Sequence, residues 1–100
     1  MRILAIERPV GGATGEMFTP ELAAAEARRA WELHQAGPIR ELYFRADESA
    51  AVLVLEYSDV DAARRMLAEL PLVAAKLIDF ELIPLRAYPG FARLFATAGS

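Results

Sequence analysis

Apolar and polar positions alternate along this chain with two periods, and the periods mark out its elements. Met1 to Arg8 is a short apolar run closed by Glu7, Arg8 and Pro9. It reads as a strand with Ile3, Ala5 and Glu7 on one face and Leu4 and Ile6 on the other; both faces are largely apolar, so it belongs in the middle of a sheet. Pro9 to Phe18 carries Gly11, Gly12 and Gly15 and reads as a mobile loop. Thr19-Pro20-Glu21 then opens a helix, with Thr as N-cap, Pro at the first position and an acid in the first turn. The helix is expected to end at Ala36, before Gly37-Pro38. Its alanine run leaves Glu26, Arg28, Arg29 and Glu32 expected mostly in water, while Ala23, Ala27, Ala30, Trp31 and His34 share a face.

Ile39 to Ala46 predicts a second strand, with Ile39, Glu41, Tyr43 and Arg45 on one face and charges on both, as at a sheet edge. Asp47-Glu48-Ser49 is a hairpin turn, and Ala50 to Tyr57 a nearly all-apolar strand broken only by Glu56. Ser58, with Asp61 three residues later, reads as the capping box of a second helix running to Leu70, with Val60, Ala63, Leu67 and Leu70 inward. After Leu70-Pro71-Leu72 comes a last strand in which Ile78, Phe80 and Leu82 alternate with Asp79, Glu81 and Ile83. Pro84 cannot donate to a ladder and places that strand at an edge.

The order βαββαβ, joined by right-handed crossovers, puts strands one and three in the centre and both helices on one face. This is a ferredoxin-like α+β sandwich with a four-stranded antiparallel sheet, one domain over residues 1–100. Every strand nevertheless has apolar residues on both faces: Leu4 with Ile3, Leu42 with Tyr43, Leu53 with Val54, Phe80 with Ile83. Roughly 500 Å² of sheet left bare exceeds what monomers tolerate, and at ~25 cal/mol per Å² leaves roughly 12 kcal/mol of burial unused before association costs. A homodimer is expected, sheet against sheet, with residues 86–100 as a tail that carries Tyr88, Phe91 and Phe95 onto the partner.

Composition narrows the function classes. With 100 residues, 55% hydrophobic and 25% charged, the chain is globular and has one modest core. It has no cysteine, hence neither a disulfide framework nor a thiolate site. No run is long and apolar enough for a bilayer, and the N-terminus lacks a signal-peptide pattern, which makes the cytoplasm the expected location. A net charge of -3 argues against nucleic acid or an anionic membrane as main partner. An RNA-recognition module of the same element order needs basic and aromatic residues on strands one and three, which here read RILAIER and AVLVLEY.

The residues that could carry chemistry are few. His34 is the only histidine and a natural base near neutral pH, placed near a helix C-terminus; its bland reading is an exposed helix end. Glu56 is one carboxylate in an apolar strand; burial would raise its pKa and suit it to proton transfer, whereas a place at the strand end would leave it ordinary. Glu7 has the same character, with a rim position expected. Tyr43 could donate to a developing enolate and Arg45 could hold a substrate carboxylate, or the two could belong to an edge-strand ladder of charges. Trp31 could wall a pocket, and Phe18, beside the glycines, could form a lid or simply staple the first helix. GGATG lacks the lysine of a phosphate loop. No residue cluster has metal-ligand spacing, and no metal or cofactor is expected.

Residues 42–88 carry a family resemblance, above all Leu53-Val54-Leu55-Glu56, Leu67-Ala68-Glu69-Leu70-Pro71-Leu72 and Ile78-Asp79-Phe80-Glu81. The segment resembles muconolactone isomerase-like proteins of the dimeric α/β-barrel superfamily. The resemblance implies a ferredoxin-like dimer, sometimes assembled further into rings, and a cofactor-free proton shift on a small lactone acid. The superfamily also holds cofactor-free monooxygenases, haem enzymes and members without established activity. Two expectations follow. One is an isomerase acting on a small anionic cyclic metabolite, with Glu56, His34 and Tyr43 catalytic and Arg45, Trp31 and Phe18 binding substrate. The other is a non-catalytic dimeric module that binds a small ligand or shapes an assembly.

Overall fold

A computed structural model describes residues 1–95. Strands β1 (Arg2–Pro9), β2 (Ile39–Phe44), β3 (Ala51–Glu56) and β4 (Ile78–Pro84) form one antiparallel sheet in the order β2-β3-β1-β4. The apolar strands β1 and β3 are central, and the strands carrying charges and Pro84 lie at the edges. Helices α1 (Pro20–Ala36) and α2 (Val60–Leu67) cover one face. There Ile3, Leu53, Leu55, Ile78 and Phe80 of the sheet meet Leu33 of α1 and Met66 and Leu67 of α2 in a single buried core. Alternation from Ile3 and Ala5 puts Glu7 on this same face.

Local chemistry explains the helix ends. The Leu22 N–H donates to Thr19 Oγ1 at the start of α1, and Gly37 closes it in the left-handed region at φ 112°. The second helix differs from the sequence reading at both ends. Its cap is Asp59, whose Oδ1 accepts from the Ala62 N–H at 2.7 Å, in place of Ser58. A carboxylate next to the first turn also meets the positive end of the helix dipole, which a hydroxyl cannot. At the other end α2 stops at Leu67. Leu70 precedes a proline and is extended, with ψ 133°. Pro71 then starts a separate one-turn helix, α3 (Pro71–Ala74).

Lys76, just beyond α3, sits at φ 61°, a left-handed conformation that costs a side-chain-bearing residue about 1–2 kcal/mol. Lys76→Gly is therefore expected to raise stability by up to ~1 kcal/mol after the greater entropy of the unfolded glycine is subtracted, read by chemical denaturation.

Edge strand β2 does not alternate strictly. A bulge between Ile39 and Glu41 places Ile39, opposite Leu55, and Leu42, opposite Leu53, on the helix-covered face. Ile39 is fully buried, so it does not share a face with Tyr43 as simple alternation predicts.

The helix-free face has an apolar centre inside a charged frame. Val54, Leu4 and Ile83 stand in one row across three strands, with Val52 and Ile6 paired in the next. Around them Arg2 pairs with Glu56, and Arg8 with Glu81. Beyond β4 the chain leaves the body after the Leu85 N–H donates to the Arg2 carbonyl. This arm includes a 3₁₀ turn at Pro89–Leu94, and its Tyr88, Phe91, Leu94 and Phe95 are 65–81% exposed. The radius of gyration, 17.1 Å, exceeds the ~13 Å of a compact domain this size because the arm projects. Tyr88 lies over Gly90, where any Cβ would overlap its ring, and stacks edge-on to Phe91 at 4.9 Å. Residues 96–100 of the expected tail lie outside the described residues.

Candidate active site

The alanine stripe of α1 creates the site. Ala23, Ala27 and Ala30 face the sheet with methyl groups only, so the helix leaves a space that Leu42, Leu53 and Phe80 close from below. The resulting cavity is about 380 Å³ and almost wholly apolar. Two carboxylates enter it, Glu26 from α1 and Glu7 from β1. Glu26 lies three residues after Ala23 and four before Ala30, on the same helical stripe.

Each carboxylate is held by a backbone donor. The Leu72 N–H, the first free donor of α3 because Pro71 has none, donates to Glu26 Oε1 at 2.9 Å. The Ala51 N–H donates to Glu7 Oε1 at 3.0 Å. Burial pushes the pKa of Glu26 above the usual glutamate value; the Leu72 bond opposes this and the Glu7 charge adds to it. A carboxylate so placed is a stronger base than one in water, and its second oxygen is free to take a proton. Among the described residues no group of three or more histidine, aspartate or glutamate side chains gathers to hold a metal.

The residues singled out from sequence divide into two groups. Trp31, His34 and Tyr43 come together in a second, outer hollow of about 420 Å³ at the β2 edge, with Glu41 beside them. It shares the walls Ala27, Ala30, Leu42 and Tyr43 with the inner cavity. His34 Nδ1 is 2.9 Å from the Ile39 carbonyl oxygen; a carbonyl only accepts, so Nδ1 carries the hydrogen and Nε2 is left for a ligand. Of the residues lining either hollow, His34 is the one that can become cationic. The Tyr43 hydroxyl donates to Glu41, and this bond raises its pKa, so it is a poorer acid than a free phenol.

Glu56, Arg45 and Phe18 lie elsewhere. Glu56 is at the strand end, where the Met1 amino group, ahead of Arg2 and Arg40, holds its pKa below the ordinary value. Of the two readings of Glu56 the strand-end one holds, since the last residue of a strand reaches solvent and cations, not the core; those cations lower its pKa further than that reading expected. Arg45 clamps Asp47 through Nε and Nη2 at 2.9 and 2.7 Å, and its Nη1 pairs with Glu48. Those hairpin acids are adjacent in sequence and outcompete a distant cavity. Phe18 is exposed and lines neither hollow. Glu26, expected in water, lines the inner cavity instead; the available signal was a carboxylate within an alanine stripe.

Comparison with known proteins identifies relatives of the chain. No curated protein sequence matches the chain. A solved muconolactone isomerase is 26% identical, with a TM-score of 0.69 over 89% of this chain and 92% of that one. The 5-chloro-2-hydroxyhydroquinone dehydrochlorinase of Burkholderia phenoliruptrix, in complex with 2,5-dihydroxybenzoquinone, shares the fold at 13% identity, with a TM-score of 0.62 over 88% of this chain and 97% of that one. The family model described as muconolactone delta-isomerase matches residues 10–90. The chain therefore belongs to the muconolactone delta-isomerase family.

Proposed function

We propose that this protein is a cofactor-independent isomerase that moves a proton within a small unsaturated lactone acid, with Glu26 as the base. The observation that carries this reading is the placement of the Glu26 carboxylate, its pKa raised, in an apolar cavity beside Glu7. Family membership supports it. In the proposed step Glu26 takes a proton from a ring carbon conjugated with the lactone carbonyl. The electron pair spreads into a dienolate, and the same proton, now on Glu26, returns to a second carbon of that system. The double bond moves and nothing is gained or lost.

Each neighbour has a physical part in the step. Apolar walls withhold part of the water that would solvate Glu26, and the Glu7 charge disfavours its charge further, so its proton-bearing form is more accessible than that of a glutamate in water. The Leu72 N–H fixes one oxygen, which orients the other. His34 Nε2, cationic when protonated, is the group available to meet the substrate's acid in place of the engaged Arg45. Two copies associate through the helix-free sheet face, with the apolar arm reaching over the partner.

The test is direct incubation with muconolactone in D₂O. Isomerisation, followed by ultraviolet absorbance, is expected together with deuterium at the newly protonated carbon in a fraction of the product, because the Glu26 proton exchanges with solvent during some turnovers. Absence of any absorbance change at enzyme concentrations comparable to substrate would sink this assignment.

A further inference from the structure

The two hollows together are larger than a lactone acid requires. The inner cavity, at about 380 Å³, alone holds more than a ligand of about ten heavy atoms. The outer hollow adds about 420 Å³ and adjoins it along a shared lining. That shared lining is Ala27 and Ala30 from the helix and Leu42 and Tyr43 from the strand. The helix side of the outer hollow carries Trp31 and His34. Trp31 is 61% exposed there, a costly position for the largest apolar side chain unless something covers it.

We infer that the substrate carries, besides its lactone ring, a flat aromatic or similarly apolar group that the outer hollow receives against the Trp31 ring. The inference rests on the isomerase reading for the place of the reacting ring, at Glu26. The receiving wall is pre-organised. His34 is held to the Ile39 carbonyl, and Trp31 leans on it with ring centroids 6.1 Å apart and planes tilted 46°. A ligand face would replace water on the Trp31 ring with little reordering of it. Glu41 is engaged by the Tyr43 hydroxyl, so the substituent need not be charged.

Trp31 is the only tryptophan, so its emission reports occupancy of this hollow alone. The probes are two saturated lactone acids that cannot isomerise, one unsubstituted and one with a phenyl group on the ring. The phenyl acid is expected to bind about tenfold more tightly or better and to blue-shift Trp31 emission clearly further than the unsubstituted acid, whose carboxylate meets His34 but leaves the Trp31 ring in water. Trp31→Ala, followed by calorimetry, should remove that preference. Equal affinities, or a preference that survives Trp31→Ala, would overturn the inference. So would Trp31 emission that is already blue-shifted and shielded from iodide without ligand, since a second copy's arm would then fill the hollow. If neither muconolactone nor a phenyl-substituted unsaturated lactone is isomerised but the phenyl acid still binds with this response, the isomerase reading fails and the outer binding site stands.

Discussion

Glu26→Gln is expected to lower turnover of muconolactone by about 10²–10⁴-fold, the usual contribution of a positioned base, with substrate binding retained. Glutamine keeps the size of the side chain and an oxygen for the Leu72 N–H, and loses only the capacity to take a proton. The wild-type rate should fall as pH drops through the pKa of Glu26, on an acid limb lying above the ordinary glutamate value because burial raises that pKa. Stability should move in the opposite sense. A carboxylate whose folded pKa is raised favours the folded state at low pH, below its unfolded value. That contribution is lost as pH rises through the folded value. At pH 7 the ionised Glu26 thus costs stability, and Glu26→Gln should melt above wild type by a margin that narrows towards pH 4. An inactive variant that is also less stable at pH 7 would indicate a scaffold role; an active one would remove Glu26 from the mechanism. Glu7→Gln provides a control of sign: with the Glu7 charge gone, the acid limb should shift to lower pH.

A second large effect is expected at the helix-free face. Wild-type protein should scatter light at micromolar concentration as at least twice the 11.0 kDa chain mass. Val54→Arg should reduce it to the single-chain mass or remove it from the soluble fraction. Val54 stands in the row with Leu4 and Ile83, inside the frame of Arg2, Glu56, Arg8 and Glu81. An apolar centre with a charged rim is the pattern of a protein interface. An uncompensated charge at such a centre costs about 3–5 kcal/mol, enough to weaken association by roughly 10²–10⁴-fold. Arg8→Ala, in the exposed frame, removes a pair worth little and should leave the mass unchanged. A wild-type chain that scatters as a monomer would defeat the proposed pairing, and the arm would then need another partner.

The contrast between Glu56 and Glu26 explains why the fold was more legible than the site. Glu56 drew attention because it broke an apolar strand, yet it stands at the strand's last position among cations. Glu26 looked ordinary among helix charges, yet the turn it occupies faces the sheet and receives the Leu72 N–H from a segment 46 residues further on. The bulge near Arg40 likewise carried Ile39 out of the face that alternation assigned to it. Trp31, His34 and Tyr43 were named from their chemistry and do meet, because helical spacing brings the first two together and the β2 edge supplies the third.

Alternating and helical apolar periods, the Thr19-Pro20 start, the Gly37-Pro38 stop and Pro84 were enough to determine the element order, the central and edge strands, and the face the helices cover. These are local constraints, written in neighbouring residues. Only the tertiary structure decided which carboxylates share a cavity and which cations are already engaged. Burial and pairing depend on groups that are far apart in sequence, and a pKa follows from what surrounds a side chain in space.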